Sequence, residues 1–240
     1  MQFKTKELKN FILGLILNYN LMKSYKVSKG LKGNPIIPGD KSISHRSIIV
    51  SSIANGVSEI NNILKSDDVL HTLNAFKKMK VEIEEIEEKI IIHGKGLNSL
   101  QKPNEELYLG NSGTSARLLT GLLACQDFYT KLTGDKSLSS RPMKRIAEPL
   151  ELMNANIITT DGKLPMEIRG KKLNCSNIDI KIPSAQVKSG IIFAALNTDG
   201  LTQITENNIT RDHTEIMLKA FGANIEIENI ENKKIIKIIG

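Results

Sequence analysis

Residues 39–54 read GDKSISHRSIIVSSIA, and related stretches follow as GNSGTSARLLTGLLAC at residues 110–125 and IPSAQVKSGIIFAAL at residues 182–196. Each copy opens with polar residues and then continues with residues that are small or apolar on almost every helical face. A helix without a polar face belongs in the interior of a protein. The sequence therefore predicts three buried helices, each of which starts with a polar motif.

Each of these stretches begins a longer unit, and the unit occurs three times. A strand, a second helix and two further strands follow each buried helix, so that equivalent isoleucines and closing glycines recur in order. These residues are Ile83, Ile157 and Ile225, and Gly94, Gly170 and Gly240. The pattern predicts a mixed α/β fold of three βαβαββ repeats, at about residues 39–94, 106–170 and 177–240.

The second helix of each unit has a different pattern from the first. Val69, Leu73 and Phe76 share one face of such a helix, while Lys77 and Lys78 point away from it. This amphipathic pattern is typical of a helix on the outside of a domain. Strands are predicted in the third unit at residues 178–182, 201–204 and 235–239.

Threefold repetition would point the buried helices in one direction and bring their N-termini to one face. Each N-terminus carries unpaired N–H groups and about half a positive charge, so three together favour an anionic ligand such as phosphate. The sparse arginines agree with this, because four of the six occur in the start motifs or just before a second helix. These four are Arg46, Arg117, Arg141 and Arg211.

The composition leaves two interpretations of the charge open. The chain has 240 residues, a net charge of +7, 40% hydrophobic and 25% charged residues, which is ordinary for a globular protein. The positive charge indicates either a lysine-rich solvated surface or an anion site. Aromatic residues make up only 4%, and Trp is absent, which disfavours stacking on single-stranded nucleic acid.

The cysteines and the N-terminus favour a cytoplasmic protein. Cys125 and Cys175 show neither metal-ligand spacing nor a disulfide framework. Residues 11–17 are apolar, but no small-residue cleavage site follows them, and no stretch approaches the length of a membrane span. Residues 1–21 are interpreted as a disordered N-terminal extension or an upstream start.

Five motifs, in order and in register with the repeat, resemble the EPSP synthase (3-phosphoshikimate 1-carboxyvinyltransferase) family from about Lys26 to Gly240. They are GDKSISHR (39–46), LGNSGTSAR (109–117), LTGDKSLSSRPM (132–143), IPSAQVKSG (182–190) and TRDHTE (210–215). The resemblance implies one lobe of a two-lobed enzyme with an inside-out α/β barrel in each lobe. Residues 39–240 would form this lobe, and residues 22–38 would belong to the second lobe and be poorly ordered here.

The resemblance also implies the reaction and the partners. Family members transfer the enolpyruvyl group of phosphoenolpyruvate to the 5-hydroxyl of shikimate 3-phosphate, through a tetrahedral intermediate, and release phosphate. They need no cofactor or metal, and we expect a monomer that binds neither nucleic acid nor membrane. Because the acid/base carboxylates come from the second lobe, this chain is expected to bind substrate without turnover.

The resemblance assigns two overlapping sets of site residues. For shikimate 3-phosphate they are Lys41, Ser42, Arg46, Ser184, Ala185, Gln186 and Arg211. For phosphoenolpyruvate they are Lys41, Asn111, Gly113, Arg141 and Gln186. Lys41 is the residue shared between the substrates and has the catalytic role.

Several assignments have a structural alternative. Ser42 could act as a helix N-cap, Gly113 could be a turn glycine, and Arg117 could be purely structural. Lys188 could lie behind the site, and Asp212 and Glu215 could simply cap an outer helix. The four histidines are interpreted as structural.

Two other functions remain open at this stage. A UDP-N-acetylglucosamine enolpyruvyl transferase lobe would share the fold, although its first signature differs from GDKSISHR and it uses a loop cysteine. A non-catalytic anion- or RNA-binding module would explain the charge. The clustering of polar residues at the helix starts favours the enzyme.

Overall fold

The described residues form the mixed α/β structure that the sequence predicts. A computed structural model of the chain describes residues 33–34 and 37–240. In this part of the chain the helices are α1 (Lys41–Ile53), α2 (Asp67–Lys78), α3 (Gly113–Ala124), α4 (Lys136–Ser139), α5 (Lys144–Glu151), α6 (Ala185–Ala195) and α7 (His213–Ala220). The strands are β1 (Asn55–Asn61), β2 (Glu82–Ile86), β3 (Lys89–Lys95), β4 (Leu107–Tyr108), β5 (Tyr129–Thr133), β6 (Asn156–Thr160), β7 (Lys163–Arg169), β8 (Asn177–Ile180), β9 (Leu201–Glu206), β10 (Ile225–Ile230) and β11 (Lys233–Ile239).

The strands form three separate sheets, one for each unit. Their orders are β1-β3-β2, β4-β5-β7-β6 and β8-β9-β11-β10. The pairs β4/β5 and β8/β9 are parallel, and the other pairs are antiparallel. The parallel pairs follow from the chain order, because a helix connects the two strands of each pair. In the described residues the first unit begins directly with α1, and its sheet has three strands.

The core contains the three helices whose sequences lack a polar face. Almost every residue in the second half of α1, α3 and α6 is buried. Helices α3 and α6 pack backbone to backbone, since a Cβ added at Gly121 would lie 1.8 Å from the carbonyl oxygen of Gly190. A Cβ at Gly190 would lie 2.6 Å from the carbonyl oxygen of Arg117. Only glycine permits this approach.

The outer helix α2 has the predicted amphipathic character. Val69, Leu73 and Phe76 are buried. Asp67 and Asp68 lie in its first turn, and Lys77 and Lys78 lie in its last turn. These charges oppose the helix dipole at both ends and so stabilise the helix.

Some details differ from the sequence prediction. Strand β8 ends at Ile180, two residues before the predicted end, because Lys181 and Ile182 bend towards the start of α6. The short helix α4 was not predicted. The predictions for residues 1–21 lie outside the described residues, as do those for most of residues 22–38.

Residues 38–240 form one compact unit. Within the described part of the chain, no helix combines the length and the apolar character that crossing a bilayer requires.

Candidate anion-binding site

The first turn of α1 exposes Lys41 and Ser42 at the edge of the core. Asp40 caps this helix, because its carboxylate accepts the N–H of Ile43 at 2.8 Å. Lys41 is half exposed, and its ammonium forms an ion pair with Asp68 at the start of α2. The lysine therefore has a partner that an anionic ligand could replace.

The start of α3 is closely surrounded by arginine side chains. Ser112 caps the helix by accepting the N–H of Ser115 at 3.1 Å, and Gly113 is the first helical residue. A Cβ at Gly113 would lie 2.9 Å from NH1 of Arg117 and 3.1 Å from NH1 of Arg141. Glycine at this position therefore leaves room for two guanidinium groups beside the helix N-terminus.

The start of α6 has the same construction. Ser184 is the N-cap and accepts the N–H of Val187 at 3.3 Å, so the capping alternative and the ligand-binding prediction apply to the same side chain. Ala185 and Gln186 form the first turn of this helix and are partly exposed.

Hydrogen bonds join the three helix starts to one another. His45 of α1 contacts Thr72 at 2.7 Å, and Thr72 contacts Ser115 of α3 at 2.5 Å. Arg117 of α3 donates to the side-chain oxygen of Gln186 in α6 at 2.8 Å. The structure therefore brings together the helix starts that the sequence predicted to meet.

Arg46 joins α1 to both α6 and α7. Its guanidinium donates to Thr214 at 2.6 Å, to Ser189 at 2.8 Å and to the carbonyl of Ser42 at 3.0 Å. The side chain is buried, and these contacts use all three of its nitrogens. Its predicted contact with substrate stays a prediction.

Arg46 lies among charges of both signs. Burial lowers the pKa of Arg46, the carboxylates of Glu215 and Asp40 oppose this shift, and the charge of Arg211 lowers the pKa further. The exposed Arg211 is also three residues before Thr214, which accepts a hydrogen bond from Arg46.

Asn111 holds Arg141 in place. The amide oxygen of Asn111 accepts from NH2 of Arg141, and its amide nitrogen donates to Asp135 at 2.9 Å. Asp135 caps α4 by accepting the N–H of Leu138, and this bond, the one from Asn111 and the charge of Arg141 all lower the pKa of its carboxyl. Asn111 thus orients the loop that carries Arg141.

The arginines near α3 form no ion pair among the described residues. Burial lowers the pKa of Arg117, and the positive charges of Arg141 and Arg145 lower it further. Across residues 33–34 and 37–240, every side-chain ion pair uses Lys or His as its cation and none uses Arg. A cluster of like charges beside helix N-termini is stabilised by an anion.

His45 lies within the hydrogen-bonded centre and is uncharged at neutral pH. Burial lowers its pKa from 6.5 to about 4, and the neighbouring charges of Lys41 and Arg46 lower it while Asp68 raises it. Its Nε2 atom is buried without a hydrogen-bond partner among the described residues. These contacts fit the structural role that the sequence suggested.

A buried ion cluster lies behind the start of α6. Lys188 is fully buried, and its ammonium contacts Glu206 at 2.8 Å and Glu215 at 2.7 Å. Thr210 donates to the second oxygen of Glu206. This cluster joins α6 to the end of β9 and the start of α7, the segment that carries Arg211.

Sequence reasoning did not find several partners of the site residues. These are Asp68 beside Lys41, Thr114 and Arg117 beside Gln186, Thr214 beside Arg46, and the two glutamates beside Lys188. No local signal pairs these residues with their partners, because most of the contacts span many residues of sequence. Within the described residues, no group of three or more His, Cys, Asp or Glu side chains could hold a metal ion.

Fold and site together define an α/β domain in which buried helices point their N-termini at one cluster of basic side chains. The profile of the EPSP synthase (3-phosphoshikimate 1-carboxyvinyltransferase) family matches residues 26–240, and the chain belongs to this family. The family prediction made from the five motifs is therefore confirmed.

Relatives with known names agree with this assignment. The chain is similar to the 3-phosphoshikimate 1-carboxyvinyltransferase of Lactococcus lactis subsp. lactis (strain IL1403), with 52% identity over 205 residues, 84% of this chain and 48% of the relative. It is 50% identical over 216 residues to the enzyme of the same name from Ruthia magnifica subsp. Calyptogena magnifica, covering 90% of this chain and 49% of the relative. The chain spans about half the length of the curated relatives it matches.

The fold is similar to that of solved EPSP synthases. A structure titled EPSP synthase from Acinetobacter baumannii superimposes with a TM-score of 0.81 at 48% identity, covering 87% of this chain and 47% of that chain. The predicted α/β fold class is confirmed. The comparisons do not favour the RNA-binding module or the UDP-N-acetylglucosamine enolpyruvyl transferase.

Proposed function

We propose that residues 38–240 bind shikimate 3-phosphate and phosphoenolpyruvate, for transfer of the enolpyruvyl group to the 5-hydroxyl of shikimate 3-phosphate. The observation that carries this proposal is the meeting of three capped helix N-termini with arginines that form no ion pair in the part of the chain that the structure describes. Such a site favours ligands that carry several negative charges. Both proposed substrates are anions of this kind.

The shikimate 3-phosphate subsite lies between α1 and α6. Ser42, Ser184, Ala185 and Gln186 supply hydroxyl, backbone and amide groups at the two helix starts. Arg211 supplies charge from the loop before α7. Arg46 stabilises the subsite indirectly through its three hydrogen bonds. To contact the substrate directly, Arg46 would have to exchange one of these hydrogen bonds for the contact.

The phosphoenolpyruvate subsite lies at the start of α3. Arg141, oriented by Asn111, offers a planar guanidinium that can bind a carboxylate or phosphate through two parallel bonds. Gly113 leaves space for the ligand beside this guanidinium. Lys41 would give up its ion pair with Asp68 and balance the negative charge that both reactants bring.

Turnover needs proton transfer that these residues do not offer. Two carboxylates at the helix starts are engaged, because Asp40 and Asp135 cap helices. Lys41 would release Asp68 when substrate binds, but the family resemblance places the acid/base carboxylates in the second lobe. A general acid or base must be free to reach its proton. We therefore propose that residues 38–240 by themselves, as a cytoplasmic monomer, bind substrate and release no phosphate.

Titration calorimetry tests the binding proposal directly. We expect shikimate 3-phosphate to bind the chain, an RNA oligomer of similar total charge not to bind, and Arg211→Ala to weaken the first interaction. Arg169→Ala is the matched control, because Arg169 is exposed at the end of β7 and its removal changes the net charge equally. Equal binding of RNA and substrate would refute the proposal, and phosphate release with both substrates present would refute the lack of turnover.

A further inference from the structure

Arg117 connects the two proposed subsites and has no assigned role. It lies in the second turn of α3, and its NH1 atom donates to Oε1 of Gln186 at 2.8 Å and to the carbonyl of Gly113 at 3.2 Å. Its NH2 atom donates to the carbonyl of Pro142 at 3.3 Å. One side chain therefore contacts α6, the start of α3 and the residue after Arg141.

These contacts fix which end of the Gln186 amide faces which neighbour. A guanidinium is only a donor, so the atom of Gln186 that it contacts must be the amide oxygen. The amide nitrogen then donates one hydrogen to the hydroxyl of Thr114, at 3.0 Å. The second amide hydrogen has no acceptor among the described residues, which leaves Gln186 with a donor for a ligand at the mouth of the site.

The charge of Arg117 is held in place without a carboxylate. Its neighbours are Arg141 and Arg145, which repel it, and burial adds to this cost. The hydrogen bonds to Gln186, Gly113 and Pro142 are what retain it in this position. A residue kept in an unfavourable electrostatic position by specific contacts is a candidate for a functional role.

We infer that Arg117 is a positioning residue that acts through Gln186. Arg117 orients the side-chain amide of Gln186 so that the amide nitrogen of Gln186 can donate to an oxygen of the ligand. In this way Arg117 connects the shikimate 3-phosphate subsite at α6 to the phosphoenolpyruvate subsite at α3. This inference rests on the proposed function. It differs from a direct role, in which Arg117 would itself touch the anion.

A double-mutant cycle separates the two roles. The affinity of the chain for shikimate 3-phosphate is measured by titration calorimetry for the wild type, Arg117→Ala, Gln186→Ala and the double variant, with Arg169→Ala as control. Each single variant should lose about tenfold, the value of one charge-assisted hydrogen bond. The double variant should also lose about tenfold, because removing Arg117 matters only while Gln186 is present.

The outcomes distinguish the inference from the proposed function. If the wild type does not bind shikimate 3-phosphate, the proposed function fails. If the wild type binds and the losses add to about a hundredfold, Arg117 acts on the ligand directly and the inference is overturned.

A measurement on the wild type guards against variants that do not fold. The side-chain NH2 hydrogens of Gln186 should have chemical shifts different from those of a solvent-exposed amide, and one of them should shift when shikimate 3-phosphate is added. Chemical shifts typical of a solvent-exposed amide would also overturn the inference. In Arg117→Ala, if it folds, these signals should move towards such free-amide values while those of a remote glutamine, Gln203 in β9, stay unchanged.

Discussion

Replacement of Lys188 by Met is expected to remove the cation that pairs with Glu206 and Glu215 in the ion cluster behind α6. All three side chains are at most 1% exposed, and the ammonium lies 2.8 and 2.7 Å from the two carboxylates. Methionine has a similar volume to lysine, so the variant leaves the carboxylates of Glu206 and Glu215 without their cation and opens no large cavity. Breaking a buried ion pair on one side typically costs about 3–5 kcal/mol.

Urea denaturation followed by circular dichroism measures this cost. We expect the free energy of unfolding to fall by about 3–5 kcal/mol in Lys188→Met. The combination of Lys188→Met with Glu206→Gln and Glu215→Gln should recover most of the loss, since no stranded carboxylate remains. Lys234→Met is the matched control: Lys234 is also buried, but its partner Asp212 is half exposed and 3.6 Å away, so the loss should stay below about 1 kcal/mol.

The result that would refute this reasoning is a small effect. A loss below about 1 kcal/mol in Lys188→Met, or no recovery in the triple variant, would mean that the cluster does not stabilise the folded state electrostatically.

Three further predictions follow from the site and the core. The pKa of His45 is lowered to about 4 in the folded state, so the unfolded state takes up a proton first as the pH falls below 6.5. The free energy of unfolding, measured by urea titrations at several pH values, should therefore drop by up to about 3 kcal/mol between pH 6.5 and 4. The variant His45→Gln should show a smaller decline over the same pH range. Gly113→Ala should leave the thermal unfolding midpoint nearly unchanged, because the close contacts of the added methyl group are the movable guanidinium ends of Arg117 and Arg141. The variant should weaken the response of the arginine side-chain NMR signals to phosphoenolpyruvate. An unchanged response would contradict the placement of that subsite. Burial raises the pKa of the Cys125 thiol to about 12, whereas Cys175 is exposed, so a thiol reagent should label one cysteine in the native protein and two in urea, and rapid labelling of both in the native state would be inconsistent with this core.

The architecture could be predicted because it depends on local periodicity. The runs SIIVSSIA, SARLLTGLLA and SGIIFAAL have no polar face, and each became a buried helix. The spacing of Val69, Leu73 and Phe76 identified an outer helix in the same way. Repetition of the pattern then supplied the tertiary arrangement that one helix alone could not reveal.

The contacts within the site could not be predicted because they join distant parts of the chain. Arg46 bonds to Ser189 and Thr214, 143 and 168 residues away in sequence. Lys188 sits one turn into a helix that begins at the site, and nothing in its neighbourhood shows that Glu206 and Glu215 enclose it. A charged residue such as Lys188 needs a hydrogen-bond or ion-pair partner when it is buried, but only the fold shows which residue that partner is.

The glycine contact between α3 and α6 has a consequence for how such a protein can change. Gly121 lies eight positions along its helix from Gly113, roughly 12 Å at the rise of an α-helix. Any side chain at Gly121 would push α3 and α6 apart and change the distance between their N-termini. Replacements deep in the interior should therefore change the spacing between the starts of α3 and α6, which a search confined to the residues of the proposed site would overlook.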